Sequence, residues 1–298
     1  MLVIEKTPLR ISLSGGSTDL QEYLDKNKQG QVISFTPNLF TYIVLKKSTS
    51  KYYKIVYSKI ENVLTSEEIQ NDIAREVLMY FKVPPVEVIF MADIPSTGSG
   101  LASSSSYLIS MIKACLHYMG INMTLEEIGE LAIKLERNFN TLAGYQDVYG
   151  CLIPGFKSMY FNEKGLDVYE KLPNYFFTEY DFYLVSTNNV RSSTSILSTL
   201  DFEKVKKLAP ITKDMLDSIK DGNYVRILEL INFGWQQKKL TSKSISNSKI
   251  EQIENKIKET EGVIAYRLLG AGNGGYFLVI TEKSRMFGLE SLKLSLYE

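Results

Sequence analysis

The chain has 298 residues, with 34 Lys+Arg balanced by 34 Asp+Glu and with one histidine. A net charge of zero gives no broad basic field, which argues against general binding to nucleic acid or to an anionic membrane surface. The single histidine, His117, excludes a multi-histidine metal site and weakens any Ser/His/Asp or Cys/His nucleophile scheme. Any chemistry here must therefore use Asp, Glu, Lys, Arg, Ser or backbone amides.

The cysteines and the apolar runs indicate the class of protein. Cys115 and Cys151 lie in apolar surroundings with neither zinc-knuckle nor CxxC spacing, which predicts two buried thiols in a reducing compartment. No apolar run approaches the roughly 18 residues of a membrane span, and the N-terminal MLVIEKTPLR is typical of a strand, not of a signal peptide. We expect a cytoplasmic globular protein of one large or two ordinary domains.

In chain order, the first half begins with four β-like runs, LVIEKTPLRISLS, GQVISF, LFTYIVLKK and YYKIVYS. Their short connections predict an opening sheet with mostly antiparallel pairing. The segment SEEIQNDIAREVLMYF places Ile69, Ile73, Val77 and Phe81 four apart, which predicts an amphipathic helix. The apolar run VEVIFMADI then predicts another strand.

Two further helices are predicted next. A Gly/Ser-rich turn leads into a helix whose apolar positions Leu108, Ile112, Cys115 and Leu116 share a face. The second helix begins at a capping box formed by Thr124 and Glu127. The strand-like KSMYF and GLDVYEKL close what we interpret as the first unit.

From Tyr180 the pattern changes. DFYLVST predicts a strand, three mainly helical stretches run to about Thr260, and AYRLLGAGNGGYFLVIT predicts strand, glycine turn and strand. A final helix is expected near Ser284. These elements predict an α+β fold with a boundary near Pro173, giving domains 1–172 and 173–298.

The strongest functional signal is DIPSTGSGLASSSSYLISMIKAC, a strand, loop and helix in succession. Gly98 and Gly100 allow the backbone to approach an anion, Ser103 to Ser106 supply donors, and the following helix offers its positive N-terminal end. A purely structural Gly/Ser turn is the alternative. The pattern GxxxxGK[ST] is missing, so this is not a Walker loop.

Two weaker strings flank it in the sequence. TPLRISLSGGSTDL carries Arg10 on a strand that leads to Gly15, Gly16, Thr18 and Asp19, and LGAGNGGYFLV places a glycine turn between two strands. Each string by itself is also compatible with an ordinary hairpin.

Taken together and in this order, the three strings resemble the three motifs of the GHMP sugar-kinase superfamily, which includes galactokinase, homoserine kinase, mevalonate kinase and phosphomevalonate kinase. The resemblance spans the whole chain. PLRISLSGGSTDL, DIPSTGSGLASSSS and KLERNFNTLAGYQDVYG look most like the heptose 7-phosphate kinases. Galactokinase's GEHTDY is missing, and Ala102 stands where the family usually has glycine.

The resemblance implies an α+β, two-domain GHMP kinase architecture. It consists of an N-terminal ribosomal protein S5 domain 2-like unit that carries the ATP-binding loop and a C-terminal ferredoxin-like α/β sandwich, with the active site in the cleft between them. The implied cofactors are ATP and Mg²⁺. The residues implied to hold the ATP phosphates are Gly98, Ser99, Gly100, Leu101, Ala102, Ser103, Ser104 and Ser105.

The same resemblance implies roles for individual side chains. Ser104, with its neighbour Ser105 as the alternative, would hold Mg²⁺ together with Glu136. Asp147 would be the catalytic base, with Arg10 as its cationic partner. The residues expected to bind the sugar are Gly16, Thr18, Asp19, Gly272 and Gly274.

A substrate that carries its own phosphate needs a second anion site. Arg191, followed by Ser192 and Ser193, is the candidate, and a polar cap on a surface helix is the alternative. Lys238, Lys239 and Lys243 form a basic cluster that we expect on a solvated face.

The expected activity is ATP-dependent phosphorylation of the anomeric hydroxyl of D-glycero-D-manno-heptose 7-phosphate to the 1,7-bisphosphate. The alternatives are a kinase of an unphosphorylated, fucose- or galactose-like sugar and a catalytically inactive sugar- or nucleotide-binding homologue. The expected partner is a small sugar or sugar phosphate, and both monomer and homodimer remain open.

Overall fold

Three β-sheets and the helices packed against them make up the fold of the computed structural model, which describes residues 1–95, 98–189, 193–285 and 287–298. The strands are β1 Leu2–Pro8, β2 Ile11–Ser14, β3 Gly30–Phe35, β4 Phe40–Lys47, β5 Tyr53–Val56, β6 Ile60–Val63, β7 Val86–Ala92, β8 Phe156–Asn162, β9 Gly165–Lys171, β10 Tyr180–Ser186, β11 Val263–Leu268, β12 Tyr276–Glu282 and β13 Leu292–Leu294. The helices are α1 Gln21–Asn27, α2 Asp72–Phe81, α3 Ser103–Met119, α4 Leu125–Phe139, α5 Gln146–Leu152, α6 Phe176–Glu179, α7 Ser193–Leu197, α8 Phe202–Val205, α9 Leu208–Lys220, α10 Tyr224–Leu240 and α11 Ser248–Glu259. The predicted α+β class is confirmed.

The strands pair almost entirely antiparallel, as expected. The sheet orders are β1-β4-β7-β5-β6, β2-β3-β8-β9 and β11-β12-β10-β13, and β5 with β7 is a parallel pair. The expectation of one opening sheet is wrong, because the first β-like run divides at Pro8 into two strands of different sheets. Since Pro8 has no N–H, it suits the end of a strand. Arg10 therefore lies at the junction of two sheets, with its N–H donating to Leu101 O at 3.1 Å.

Helices α3 and α4 carry the predicted local signals. The predicted apolar face of α3 is buried, which confirms the spacing argument for Leu108, Ile112, Cys115 and Leu116. The capping box at the start of α4 is present: Glu127 N–H donates to Thr124 Oγ1 at 3.2 Å and Thr124 N–H donates to Glu127 Oε2 at 2.6 Å. Both cysteines are free and buried, as predicted.

The hydrophobic core continues across the predicted boundary near Pro173. One buried cluster joins Ile11 and Phe35 of the second sheet to Phe182 of the third sheet and Met215 of α9. The division into 1–172 and 173–298 stays a prediction, and the two segments share this core.

The C-terminal segment differs from the prediction. The prediction of a final helix near Ser284 is wrong, because Leu292–Leu294 forms β13 beside β10. Leucines at 292, 294 and 296 alternate with other residues, a period of two that suits a strand rather than a helix. The tail continues to the first half of the chain, where Tyr297 N–H donates to Thr36 O at 2.8 Å. No helix among the described residues is long and apolar enough to cross a bilayer.

Candidate active site

The two glycine-rich loops predicted from the sequence pack directly against each other. A Cβ on Gly275 would lie 2.3 Å from Ser99 O, and a Cβ on Gly100 would lie 2.7 Å from Leu269 O. Both glycines have positive φ, +89° and +77°, which side chains rarely adopt. Contact this close requires glycine on both sides, so the loop before α3 and the loop between β11 and β12 form one surface.

A cleft of about 510 Å³ opens beside this surface. The predicted site residues that line it are Arg10, Gly16, Asp19, Gly98, Ser99, Gly100, Ala102, Ser103, Ser104, Glu136 and Asp147. Within the described lining, five other predicted residues do not contribute: Thr18, Leu101, Ser105, Gly272 and Gly274. Arg191 lies outside the described residues. Most of the predicted phosphate, metal and catalytic residues therefore meet in one cleft, although they come from distant parts of the chain.

Arg10 and Asp147 form an ion pair at one wall of the cleft. Arg10 Nη2 and Nε donate to Asp147 Oδ1 at 2.5 and 3.0 Å, while Arg10 Nη1 donates to Gly100 O at 2.9 Å. Burial alone would lower the pKa of Arg10, but the Asp147 carboxylate outweighs it and the pKa is raised. The Asp147 side chain is 39% exposed and sits in the first turn of α5, where Tyr145 is the N-cap. Asp147 is thus paired and accessible, not a helix cap.

Glu136 is a buried carboxylate on the cleft-facing side of α4. Its oxygens lie 2.9 Å from the Ser105 hydroxyl, which can donate to either of them. Burial and then the nearby Asp147 charge raise the pKa of Glu136 to about 8. Ser104, by contrast, is exposed toward the cleft.

This arrangement fits a magnesium ion. Mg²⁺ prefers hard oxygen ligands and is commonly held by one or two carboxylates together with substrate phosphates. A buried carboxylate with a raised pKa lacks a full counter-charge, and the Glu136 carboxylate with the hydroxyl of Ser104 or Ser105 offers such oxygens. Which serine takes part stays a prediction.

Asp19 joins the first motif to the start of α5. Its Oδ1 accepts from Ser17 N–H at 3.2 Å and from Gln146 Nε2 at 2.9 Å, and its Oδ2 accepts from Gln146 N–H at 2.9 Å. Burial raises its pKa to about 6. Much of its hydrogen-bonding capacity is used by the protein, so its contact with a sugar stays a prediction. Thr18 is also used internally, since its Oγ1 lies 2.8 Å from Gly15 O.

Among the cleft residues that were not assigned from the sequence, Ser12, Gln146, Lys238 and Arg267 carry polar or charged side chains. Ser12 stands two positions after Arg10, and Gln146 directly precedes Asp147. Both could therefore have been assigned to the site from their neighbours in the motifs. Lys238 was expected on a solvated face, but it is 7% exposed and its Nζ donates to Gly270 O. Arg267 on β11 donates to Leu13 O from 254 residues away, a contact that no local pattern predicts.

Known proteins with similar sequences include kinases that act on sugars. Residues 67–155 match the GHMP kinases N terminal domain. The chain is 26% identical to D-glycero-alpha-D-manno-heptose 7-phosphate kinase of Campylobacter jejuni, over 95% of this chain and 91% of that protein. It is 25% identical to L-fucokinase/L-fucose-1-P guanylyltransferase of Bacteroides fragilis, over 94% of this chain and 35% of that longer protein.

A solved structure shares the fold. The crystal structure of a D-glycero-D-manno-heptose 1-phosphate kinase from Bacteriodes thetaiotaomicron superposes with a TM-score of 0.77 at 20% identity, covering 100% of this chain and 97% of that one. The matched domain contains the loop of the cleft and α4, and the fold agrees over the full length. Residues 67–155 therefore match a GHMP kinase N-terminal domain, and the whole chain has the fold of that solved kinase structure.

Proposed function

We propose that the protein is an ATP-dependent sugar kinase that transfers the γ-phosphoryl group of ATP to the anomeric hydroxyl of D-glycero-D-manno-heptose 7-phosphate. The observation that carries the proposal is the Arg10–Asp147 pair, which joins the first motif to the glycine loop through Gly100. The heptose kinase relative supports the substrate class.

Phosphoryl transfer requires mainly positioning and charge stabilisation from the protein. The loop from Gly98 to Ser104 would bind the phosphates of ATP through its backbone N–H groups, its serine hydroxyls and the N-terminal end of the 17-residue α3. Arg10 places a positive charge between this loop and Asp147, where negative charge builds up during the transfer.

Asp147 would orient the acceptor hydroxyl and take its proton as the oxygen attacks. Its side chain is accessible to the cleft, and Arg10 holds one carboxylate oxygen, so the other oxygen can accept from a substrate. Glu136 with Ser104 or Ser105 would hold Mg²⁺, which when bound neutralises phosphate charge.

Substitution of the proposed base tests this function. We expect Asp147→Asn to lower the turnover of ATP with the sugar by at least about 100-fold, because the amide cannot take the proton. Turnover is measured with Mg²⁺ and ATP on a panel of sugars and sugar phosphates, with NMR of the product.

Asp25→Asn, an exposed carboxylate of α1, is the control and should keep wild-type turnover. Thermal unfolding verifies that both variants fold. An Asp147→Asn variant that turns over like the wild type would contradict the role of Asp147. A wild-type protein that binds ATP by calorimetry and phosphorylates no sugar would instead support the inactive homologue.

A second candidate is a kinase of an unphosphorylated sugar. The match to L-fucokinase/L-fucose-1-P guanylyltransferase over 94% of this chain favours it. The same panel separates the two, because each heptose 7-phosphate or hexose phosphate is compared with its free sugar. A lower KM for the free sugar would support the second candidate.

A further inference from the structure

Three residues that line the cleft each have a buried polar side-chain atom without a hydrogen-bond partner within the described parts of the chain. The atoms are Ser12 Oγ, Gln146 Oε1 and Arg267 Nε. An unpaired buried polar atom destabilises the folded state, and most buried polar atoms in folded proteins have a partner. The described residues contain seven such atoms, and three of them belong to residues that line this one cleft, where a ligand can supply the missing partners.

The three atoms belong to one neighbourhood. A Cβ built on Gly16 would lie 3.6 Å from Ser12 Oγ and 3.5 Å from both terminal atoms of Gln146. Arg267 approaches from β11 and donates to the carbonyl of Leu13, the residue after Ser12. The group therefore surrounds the turn of the first motif, beside the Arg10–Asp147 pair.

Hydrogen-bonding chemistry restricts what this group can bind. Gln146 Nε2 donates to Asp19 Oδ1 at 2.9 Å, which fixes the amide and leaves Oε1 as an acceptor. Arg267 Nε can only donate, and the Ser12 hydroxyl can do both. A phosphate group can only accept at neutral pH, and it would face Gln146 Oε1 and the nearby Asp19 carboxyl. Hydroxyl groups both donate and accept, and so match the set.

We infer that Ser12, Gln146 and Arg267 form a subsite for the acceptor hydroxyl adjacent to the one that is phosphorylated. Gln146 and Asp147 both lie in the first turn of α5 and both line the cleft, so this subsite is close to the proposed base. For transfer to the anomeric position, the adjacent group is the 2-hydroxyl of the sugar, and a phosphate on the acceptor binds elsewhere. The inference rests on the proposed sugar kinase function.

A pair of serines provides a matched test. Ser12 of β2 and Ser34 of β3 are register partners, both are buried, and both have an unpartnered Oγ. Only Ser12 belongs to the described lining of the cleft. A purely structural role predicts the same small effect for Ser12→Ala and Ser34→Ala, because each removes an unpaired buried hydroxyl.

The subsite predicts that the two variants differ in acceptor kinetics. Wild-type protein should prefer the sugar over its 2-deoxy analogue by at least about 10-fold in kcat/KM, because the analogue leaves buried groups unpaired. Ser12→Ala should lose most of that preference while its KM for ATP stays within about twofold. Ser34→Ala should keep the wild-type preference.

The outcomes separate the inference from the function it rests on. If the wild type phosphorylates a sugar but Ser12→Ala keeps the full 2-deoxy preference, the subsite is wrong and the kinase function stands. If the wild type phosphorylates no sugar in the panel, the proposed function is wrong and the subsite falls with it. Melting temperatures of both serine variants exclude misfolding as the cause.

Discussion

Glu136 and Asp147 face the same cleft, but their partners differ. Asp147 pairs with a buried guanidinium, whereas Glu136 contacts a neutral serine hydroxyl and is 3% exposed. Different environments for two neighbouring carboxyl groups allow them to take different roles. This difference is consistent with the proposed roles, in which Asp147 accepts the proton and Glu136 holds the cation.

The environment of Glu136 predicts how the stability of the free protein depends on pH. Its pKa is raised from 4.5 to about 8. At pH values between these two, folding takes up a proton, so the folded state loses stability as the pH rises. Gln does not titrate. The stability of Glu136→Gln relative to wild type should therefore rise with pH across this window, by up to about 1.4 kcal/mol per pH unit. Denaturant unfolding without nucleotide or metal measures it.

Glu254 on α11 provides a control, because its pKa is shifted in the opposite direction. It is 2% exposed; burial opposes its ionisation, but Lys239 and Lys258 outweigh burial and lower its pKa. The stability from this group is present above pH 4.5 and lost as pH falls through its folded pKa. Glu254→Gln should therefore be destabilised by a constant amount between pH 5 and pH 8. If the difference in unfolding free energy between Glu136→Gln and wild type were also constant over this pH range, the raised pKa of Glu136 would be contradicted.

At the scale of elements, the contact between the two glycine loops shapes the cleft, and it can be tested at Gly275. Gly275→Ala places a methyl group against Ser99 O. We expect it to destabilise the protein and raise the KM for ATP, because the loop from Gly98 to Ser104, which is proposed to bind the phosphates, must move. Gly120→Ala, at the C-cap of α3, is the control: its φ is also positive, +67°, but no atom lies within 4 Å of the added Cβ.

The difference between the two variants isolates the loop contact. Both carry the strain of a side chain at positive φ, about 1–2 kcal/mol. Gly275→Ala should cost about 1–3 kcal/mol more, because a side chain is forced into a packed contact. Equal unfolding free energies and equal KM values for ATP would show that the loops can separate without consequence.

The elements also show what local sequence can predict. The capping box at Thr124 and the apolar face of α3 depend on residues three or four apart, and both predictions are confirmed. Pro8 and the alternating leucines near the C-terminus are compatible with the division of the first β-like run and with β13. The strands that these segments pair with, β4, β3 and β10, are set by the tertiary fold. The same holds for the cleft: motif residues could be assigned from the sequence, but Arg267 reaches it only through tertiary folding.

At the scale of the whole molecule, a shared core connects the two predicted domains. Phe35 of β3 lies 4.8 Å from Phe177 and 6.0 Å from Phe182, measured between ring centroids, and both partners follow the predicted boundary. The cleft likewise combines Arg10 and Glu136 from the first segment with Arg267 from the second. The cleft therefore requires both segments to fold together.

This coupling predicts a single unfolding transition. We expect Phe35→Ala to cost about 3–5 kcal/mol and to lower the melting temperature of the whole molecule in calorimetry. Phe161→Ala, in the core of the first segment, and Phe277→Ala, in that of the second, are the comparisons, since both rings are fully buried. All three should shift the same single transition.

Independent domains would behave differently. Two unfolding transitions would appear, and Phe161→Ala would shift one while Phe277→Ala shifted the other. The residues on one side of the cleft could then unfold while those on the other side stayed folded. The shared ring cluster and the C-terminal contact of Tyr297 with Thr36 oppose this, because each makes the folding of one segment favour the folding of the other. A binding cleft formed between the segments then remains intact up to the melting temperature, so ATP should raise that one temperature rather than split the transition.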